Sequence, residues 1–143
     1  MTSENRQAKR ITVELPVEVC LFDNRRETRL GEPISGRISN FSPIGAALRI
    51  ATILLNGNHL FYACQDNPDI VLELTFELSS SKGKMLAVPA SPVWFDRNLD
   101  AESTQFVLGL KFLINPKSPA IKALSKEACQ DEKRLVSLWK KFF

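Results

Sequence analysis

Alternation of apolar and polar residues constrains the fold of this chain more than any other feature of its sequence. In the first such stretch, Val13, Leu15, Val17 and Val19 share one side, while polar residues and Pro16 occupy the other. Residues two apart face the same side of an extended strand, so the pattern predicts a half-buried strand. Proline has no N–H for a sheet ladder, so Pro16 predicts an edge position or a bulge.

The same alternation recurs later in the chain. Two apolar sets have this spacing: Leu72, Leu74, Phe76 and Leu78, then Phe106, Leu108, Leu110 and Phe112. Shorter stretches at 34–40, 46–50 and 84–95 are also typical of strands. Regularly spaced short strands separated by turn residues favour an antiparallel barrel or a sandwich.

The last part of the chain has helical periodicity instead. Apolar residues recur there at gaps of three, four and seven: Ile121, Leu124, Ala128, Leu135, Leu138 and Phe142. This spacing predicts a helix with one apolar stripe, in which Ser118 is the N-cap and Pro119 the first helical residue. The stripe could pack on the strands or on a second copy of the chain as a homodimer. Asp131 interrupts the stripe, which disfavours a simple coiled coil.

Composition indicates one soluble domain. The 143 residues are 44% hydrophobic and 24% charged, which is ordinary for a globular protein. The formal charge of +3 is too small to indicate a nucleic-acid polymer as partner. No stretch has the length and apolar character for membrane insertion, and no secretory signal precedes residue 11, so we expect a cytoplasmic protein. Residues 51–69 have the least regular pattern of apolar residues, and we predict a loop with a short helix there.

Metal and catalytic chemistry find little support in the sequence. Cys20, Cys64 and Cys129 are far apart, and with His59 as the one histidine they have no metal-ligand spacing, so we expect free thiols and no metal. No nucleophile has a neighbouring base in the sequence. We therefore predict no catalytic residues, no cofactor and no enzymatic activity.

Two short motifs carry the functional hypothesis. Arg6 and Arg10 form an R-x-x-x-R motif directly before the first strand, and guanidinium groups match phosphates and the guanine edge. The stretch from Asn40 through Ser42 to Gly45 reads N-x-S-x-x-G and has the chemistry of a rigid turn. A second R-x-x-x-R, formed by Arg25 and Arg29, lies in a polar connection, where we predict a solvated loop.

An R-x-x-x-R motif before the first strand, followed by an N-x-S-x-x-G motif, resembles the motif pattern of the PilZ family of bacterial cyclic di-GMP receptors. We call the rigid turn from Asn40 to Gly45 the corner. Supporting matches are GAAL, which begins at Gly45 of the corner, SPVWF in a late strand and LGLKF in the last strand. The resemblance covers roughly residues 5–114. Residues 51–69 are longer than the corresponding segment is in the family, which makes them a local insertion.

The resemblance implies a mainly β fold, namely a six-stranded antiparallel barrel with a C-terminal α-helix. It divides the chain into a flexible arm at 1–10, a barrel domain at 11–114 and a helix at 115–143. It implies cyclic di-GMP as the ligand, bound by Arg6, Arg10, Asn40, Ser42 and Gly45. The arginine arm would order on the ligand and signal to an unknown protein partner. Alternatives are an adaptor of the same fold that binds protein with little or no nucleotide, and a barrel that binds nucleic acid.

Overall fold

The structure is a computed structural model that describes residues 10–79, 83–98 and 105–142. The strands are β1 (Ile11–Asp23), β2 (Thr28–Arg29), β3 (Ile34–Ser42), β4 (Gly45–Ile50), β5 (Leu54–Leu55), β6 (Asn58–His59), β7 (Ile70–Glu77), β8 (Met85–Asn98) and β9 (Gln105–Phe112). The helices are α1 (Leu60–Asp66) and α2 (Pro119–Phe142). Seven of these strands form one sheet in the order β2-β1-β3-β4-β9-β8-β7, and β5 pairs with β6.

The long strand β1 closes the sheet into a barrel because it pairs with a different neighbour at each end. Ile11 to Val19 pair with β3, and Glu18 to Asp23 pair with β7. Every pairing in the sheet is antiparallel. The six strands other than β2 therefore form a closed antiparallel barrel, which confirms the mainly β fold with a C-terminal helix.

The predicted alternation is visible in the burial of the strands. In β1, Val13 and Val19 are buried, whereas Thr12 and Glu18 are exposed. Side chains from the other barrel strands join them in one continuous hydrophobic core. A closed barrel of this kind has an interior just wide enough for side chains to fill, so the outer face is the surface left for binding.

The first part of β1 has a strand on one side only, and α2 covers its other edge. The backbone N–H of Glu14 donates a hydrogen bond of 2.7 Å to Oδ2 of Asp131 in α2. Pro16 lies in the same part of β1, so its predicted edge position is confirmed. Asp131, which interrupts the apolar stripe, thus satisfies a backbone donor of an otherwise open strand edge.

The helix α2 begins as predicted and packs on the barrel through its first half. The Oγ of Ser118 accepts a hydrogen bond of 3.4 Å from the N–H of Ile121, as an N-cap does. Ile121, Leu124 and Ala128 are fully buried in the barrel's core cluster. Beyond Asp131 the helix is largely exposed. In the described part of the chain, neither helix combines the length and apolar character needed to cross a bilayer.

Residues 51–69 contain a hairpin as well as the predicted short helix. β5 and β6 are joined by Asn56 and Gly57, whose φ angles are +51° and +82°. Positive φ at both central residues is the conformation of a type I′ turn, for which Asn-Gly is the preferred sequence. Leu60 and Cys64 on α1 are buried in the barrel core, so this segment extends the core.

His59 is the N-cap of α1, a role that the sequence did not indicate. Its Nδ1 accepts hydrogen bonds of 3.2 Å from the N–H groups of both Phe61 and Tyr62. Its ring also packs against the rings of Tyr62 and Phe95, at centroid distances of 4.5 and 5.0 Å. Burial among these groups lowers the pKa of His59 below its ordinary value. Only the unprotonated Nδ1 can accept the two bonds.

We expect acidification to destabilise the protein through His59. The pKa of this histidine is lower in the folded state than its unfolded value of about 6.5, so between these values the unfolded state binds more protons. The contribution of the cap to the free energy of unfolding is therefore present above about pH 6.5 and is lost as the pH falls through the folded pKa. Urea unfolding from about pH 7.5 to about pH 5 measures this loss.

The control is His59→Asn, which keeps a side-chain acceptor at the N-cap but does not titrate. This variant should lose less stability than the wild-type protein over the same pH range. Equal losses in the two proteins would contradict the assignment of the pH dependence to His59.

Candidate functional site

The predicted corner is a tight hairpin between β3 and β4. Ser42 is directly opposite Gly45, so Pro43 and Ile44 form a two-residue loop. The hydroxyl of Ser42 accepts a bond from the N–H of Ile44 and donates to the carbonyl of Gly45, both at 3.4 Å. The side chain of Ser42 is only 2% exposed. Its hydroxyl therefore stabilises the turn from within.

The absence of a side chain at Gly45 lets β9 approach β4 closely. A Cβ atom at this position would lie 2.2 Å from the carbonyl oxygen of Leu110, far inside contact distance. The adjoining end of β9 is held to the same turn, because the N–H of Phe112 donates a bond of 3.0 Å to the carbonyl of Ile44. Gly45 thus has a structural role that does not depend on a ligand.

A β-bulge directs Asn40 to the outer face of the barrel. Ile38 is opposite Leu48 and Asn40 is opposite Ala47, so Ser39 is an extra residue in β3 relative to β4. In a regular strand, residues 38 and 40 would face the same side. The extra residue instead leaves Ile38 in the core while Asn40 lines an external groove.

The Oδ1 atom of Asn40 is buried but accepts no hydrogen bond from the residues that the structure describes. A buried polar atom without a partner costs about 1–3 kcal/mol relative to a satisfied one. Native proteins retain few such atoms, and a functional contact is one of the usual reasons. Asn40 therefore carries an unsatisfied hydrogen-bond acceptor at the groove.

The groove beside Asn40 has a volume of about 1240 Å³ and lies between the barrel and α2. Its barrel side comprises residues of β1, β3, β4 and β9 and the adjoining Ala51: Thr12, Val13, Glu14, Ser35, Gly36, Arg37, Ser39, Asn40, Arg49, Ile50, Ala51 and Gln105. Its helical side consists of Glu132, Leu135, Val136 and Trp139. Ligand sites of drug-sized molecules measure about 300–1,000 Å³, so this groove has room for a dinucleotide.

The residues predicted as a binding site occupy different places in the structure. Arg6 lies outside the described residues. Arg10 is exposed and directly precedes β1, where Thr12 is paired with Asn40. Asn40 lines the groove, whereas neither Ser42 nor Gly45 is among its lining residues.

The second R-x-x-x-R motif lies away from the groove and is partly structured. Arg25 is exposed in the turn after β1, as the sequence predicted. Arg29 is not in a solvated loop, because it lies on β2 and its guanidinium is 2.8 Å from the carboxylate of Glu73 on β7. Neither arginine lines the groove.

Sequence reasoning missed Arg37, Arg49 and Trp139, which all line the groove. Arg37 and Arg49 occupy outward positions of strands that the sequence did predict, so alternation was the signal for their exposure. Which strands are neighbours, and in which register, is a long-range property that the pattern does not contain. The position of Trp139 depends on how α2 crosses the barrel.

Of the three free cysteines, Cys20 and Cys64 are buried and Cys129 is exposed. Burial raises the pKa of the Cys64 thiol to about 12 and also raises that of Cys20, so both thiols remain protonated at neutral pH. The described residues include no group of three or more His, Cys, Asp or Glu side chains that could hold a metal ion.

Comparison with known proteins shows a similarity of fold. No protein-family model matches the sequence, and no curated protein matches it. The structure is similar to the PilZ domain of YcgR from Escherichia coli with cyclic di-GMP, with a TM-score of 0.59 and 14% identity, covering 95% of this chain and 98% of that one. It is also similar to Borreliella burgdorferi PlzA in complex with cyclic di-GMP, with a TM-score of 0.53 and 13% identity, covering 96% of this chain and 54% of that one. The chain therefore has the PilZ-domain fold.

We expect Gly45→Ala to destabilise the barrel. The added methyl group would collide with the backbone of β9 at Leu110, which cannot move without disturbing the β4–β9 pairing. Overpacking of this kind costs roughly 1–3 kcal/mol, so the free energy of unfolding in urea should fall by that amount. A variant as stable as the wild-type protein would show that the corner does not require glycine for its packing.

Proposed function

We propose that the protein is a cyclic di-GMP receptor whose ligand binds in the groove beside Asn40. The observation that supports this most directly is that Asn40 lines a groove that also contains two arginines, while its buried Oδ1 atom has no donor among the described residues. Guanine carries N–H donors on its edge and the ligand carries two phosphates, so one molecule matches both features. The two solved structures of the same fold were determined with cyclic di-GMP.

In this proposal, the arm brings the remaining contacts to the groove. Arg10 directly precedes β1, and Thr12 of β1 is opposite Asn40, so the arm enters the domain beside the groove. Arg6 and Arg10 clamp the phosphates and guanines through charge-assisted hydrogen bonds. The arm becomes ordered when the ligand binds, which changes the surface of the protein.

Ser42 and Gly45 complete the ligand site by fixing the corner that ends β3. The buried hydroxyl of Ser42 stabilises the turn, and Gly45 lets β9 approach. Because Asn40 lies two residues before this turn, a rigid corner holds its side chain at a constant position towards the guanine. Binding sites need such support, since a displacement of about 1 Å weakens a hydrogen bond appreciably.

We also propose that the protein is a non-enzymatic cytoplasmic receptor whose output is contact with a protein partner. The exposed apolar side chain of Leu138, in the C-terminal half of α2 and outside the groove lining, is available for that partner or for a second copy of the chain. If the fold serves only as a protein-binding adaptor, this surface remains and nucleotide binding is absent.

Isothermal titration of the purified protein with cyclic di-GMP tests the proposal, with GTP as the control ligand. We expect saturable binding of cyclic di-GMP with a Kd of about 1 µM or tighter, and much weaker binding of GTP. No binding to a sample shown to be folded by thermal melting would contradict the receptor function and favour the adaptor.

The double variant Arg6→Ala/Arg10→Ala should lose this binding but keep its melting temperature. Each charge-assisted contact contributes about 1.5–3 kcal/mol, so the loss of two should weaken binding by roughly 100-fold or more. The matched control, Arg25→Ala/Arg29→Ala, removes the same charge from residues outside the groove and should bind within a few-fold of the wild-type protein. A larger loss of affinity in the control than in the arm variant would mean that Arg25 and Arg29, and not Arg6 and Arg10, bind the ligand.

A further inference from the structure

We propose that Arg37 and Arg49 form a second cationic contact for the ligand, and that Trp139 of α2 contacts the same ligand from the opposite side of the groove. This inference rests on the proposed function and extends it, because it makes α2 part of the site. The ligand would then be held between the barrel and the helix.

The first observation is the direct opposition of two like charges. Arg37 on β3 is the register partner of Arg49 on β4, and both side chains are exposed on the groove side of the barrel. Residues opposite each other on antiparallel strands have Cβ atoms about 4.5–5.5 Å apart, and like charges in this arrangement destabilise the sheet. An anion bound between the two guanidinium groups would remove that repulsion.

The protein's own carboxylates neutralise this pair only in part. Nη1 of Arg37 is 3.6 Å from Oε1 of Glu14, and the two side chains are 58% and 52% exposed. Such an exposed pair is weak and readily exchanged for another anion. Arg49 forms no ion pair within the described ranges of the chain. By contrast, Arg29 forms a close ion pair at 2.8 Å with Glu73, away from the groove.

The second observation is the composition of the opposite wall. Glu132, Leu135, Val136 and Trp139 of α2 line the helical side of the groove, and Trp139 is 64% exposed. An indole ring is a good stacking surface for a purine base, and stacking is independent of hydrogen bonding. The groove thus combines cations for phosphates on one side with an aromatic face for a base on the other.

The position of this wall is determined by the first half of α2. Its residues Leu124 and Ala128 are fully buried in the core, and Asp131 is bonded to the N–H of Glu14 at 2.7 Å. Trp139 lies two turns further along the same helix, about 12 Å from Asp131 at a rise of 1.5 Å per residue. A ligand that contacts both Arg49 and Trp139 would therefore restrain the C-terminal half of the helix against the barrel.

Titration of single-charge variants with cyclic di-GMP tests the arginine contact. We expect Arg49→Gln and Arg37→Gln each to weaken binding about tenfold or more, and to make the affinity less dependent on salt concentration. Arg25→Gln is the matched control, because Arg25 is exposed and lies outside the groove, and it should bind within about twofold of the wild-type protein. All three positions are exposed, so none of the variants should melt at a lower temperature, and Arg49→Gln should melt slightly higher because it removes the opposed like charge.

Tryptophan fluorescence tests the helical contact. In a Trp94→Phe background, Trp139 is the one remaining tryptophan, and saturating cyclic di-GMP should quench or shift its emission. The same titration on Trp94→Phe/Arg49→Gln should require correspondingly more ligand. An emission that stays constant at saturation would overturn the role of Trp139.

The outcomes also separate this inference from the proposed function. If the wild-type protein binds and the Arg6/Arg10 variant does not, while Arg37→Gln and Arg49→Gln bind normally, the receptor function stands and the second cationic contact is overturned. If the wild-type protein does not bind cyclic di-GMP at all, both proposals are overturned.

Discussion

The architecture depends on the way in which β1 is shared between two neighbours. One long strand pairs first with β3 and then with β7, which closes the barrel but leaves the first part of β1 with an open edge. The hydrogen bond from the N–H of Glu14 to Asp131 closes that edge with α2. The groove lies where this edge, the outer face of β3 and β4, and the helix meet. Closure of the barrel therefore also creates the candidate site.

Two features of the groove lower the stability of the domain in the absence of a ligand. The buried Oδ1 atom of Asn40 has no donor among the described residues, and Arg37 lies opposite Arg49 in register. Unpaired polar atoms and opposed like charges both cost free energy. Local conflicts of this kind are expected mainly at functional sites, where a ligand can resolve them. Both conflicts in the groove would be relieved by a molecule with hydrogen-bond donors and negative charge.

The residues of the corner motif occupy different structural environments. Ser42 is buried, and Gly45 is required by the backbone of β9, so both residues act within the fold. Of the corner residues named by the motif, Asn40 is the one that lines the groove. The resemblance assigns all of these residues to the ligand, and that assignment stays a prediction. The burial of Ser42 and the close packing at Gly45 depend on contacts with neighbouring strands that the sequence does not show.

The sequence by itself determined the elements whose patterns are local. Alternation and short apolar stretches predicted the six barrel strands, the spacing of Ile121, Leu124 and Ala128 predicted α2, and the order of the two motifs pointed to the fold. The Asn56-Gly57 turn was equally local, but its signal for a hairpin was missed.

Only the tertiary structure decided which residues meet at the groove, because strand register and helix crossing depend on contacts between distant residues. The bulge at Ser39 is the clearest case, since a strict period of two would place Asn40 on the same side as Ile38, in the core. Contacts between distant residues likewise place Arg37 opposite Arg49 and bring Trp139 to the groove.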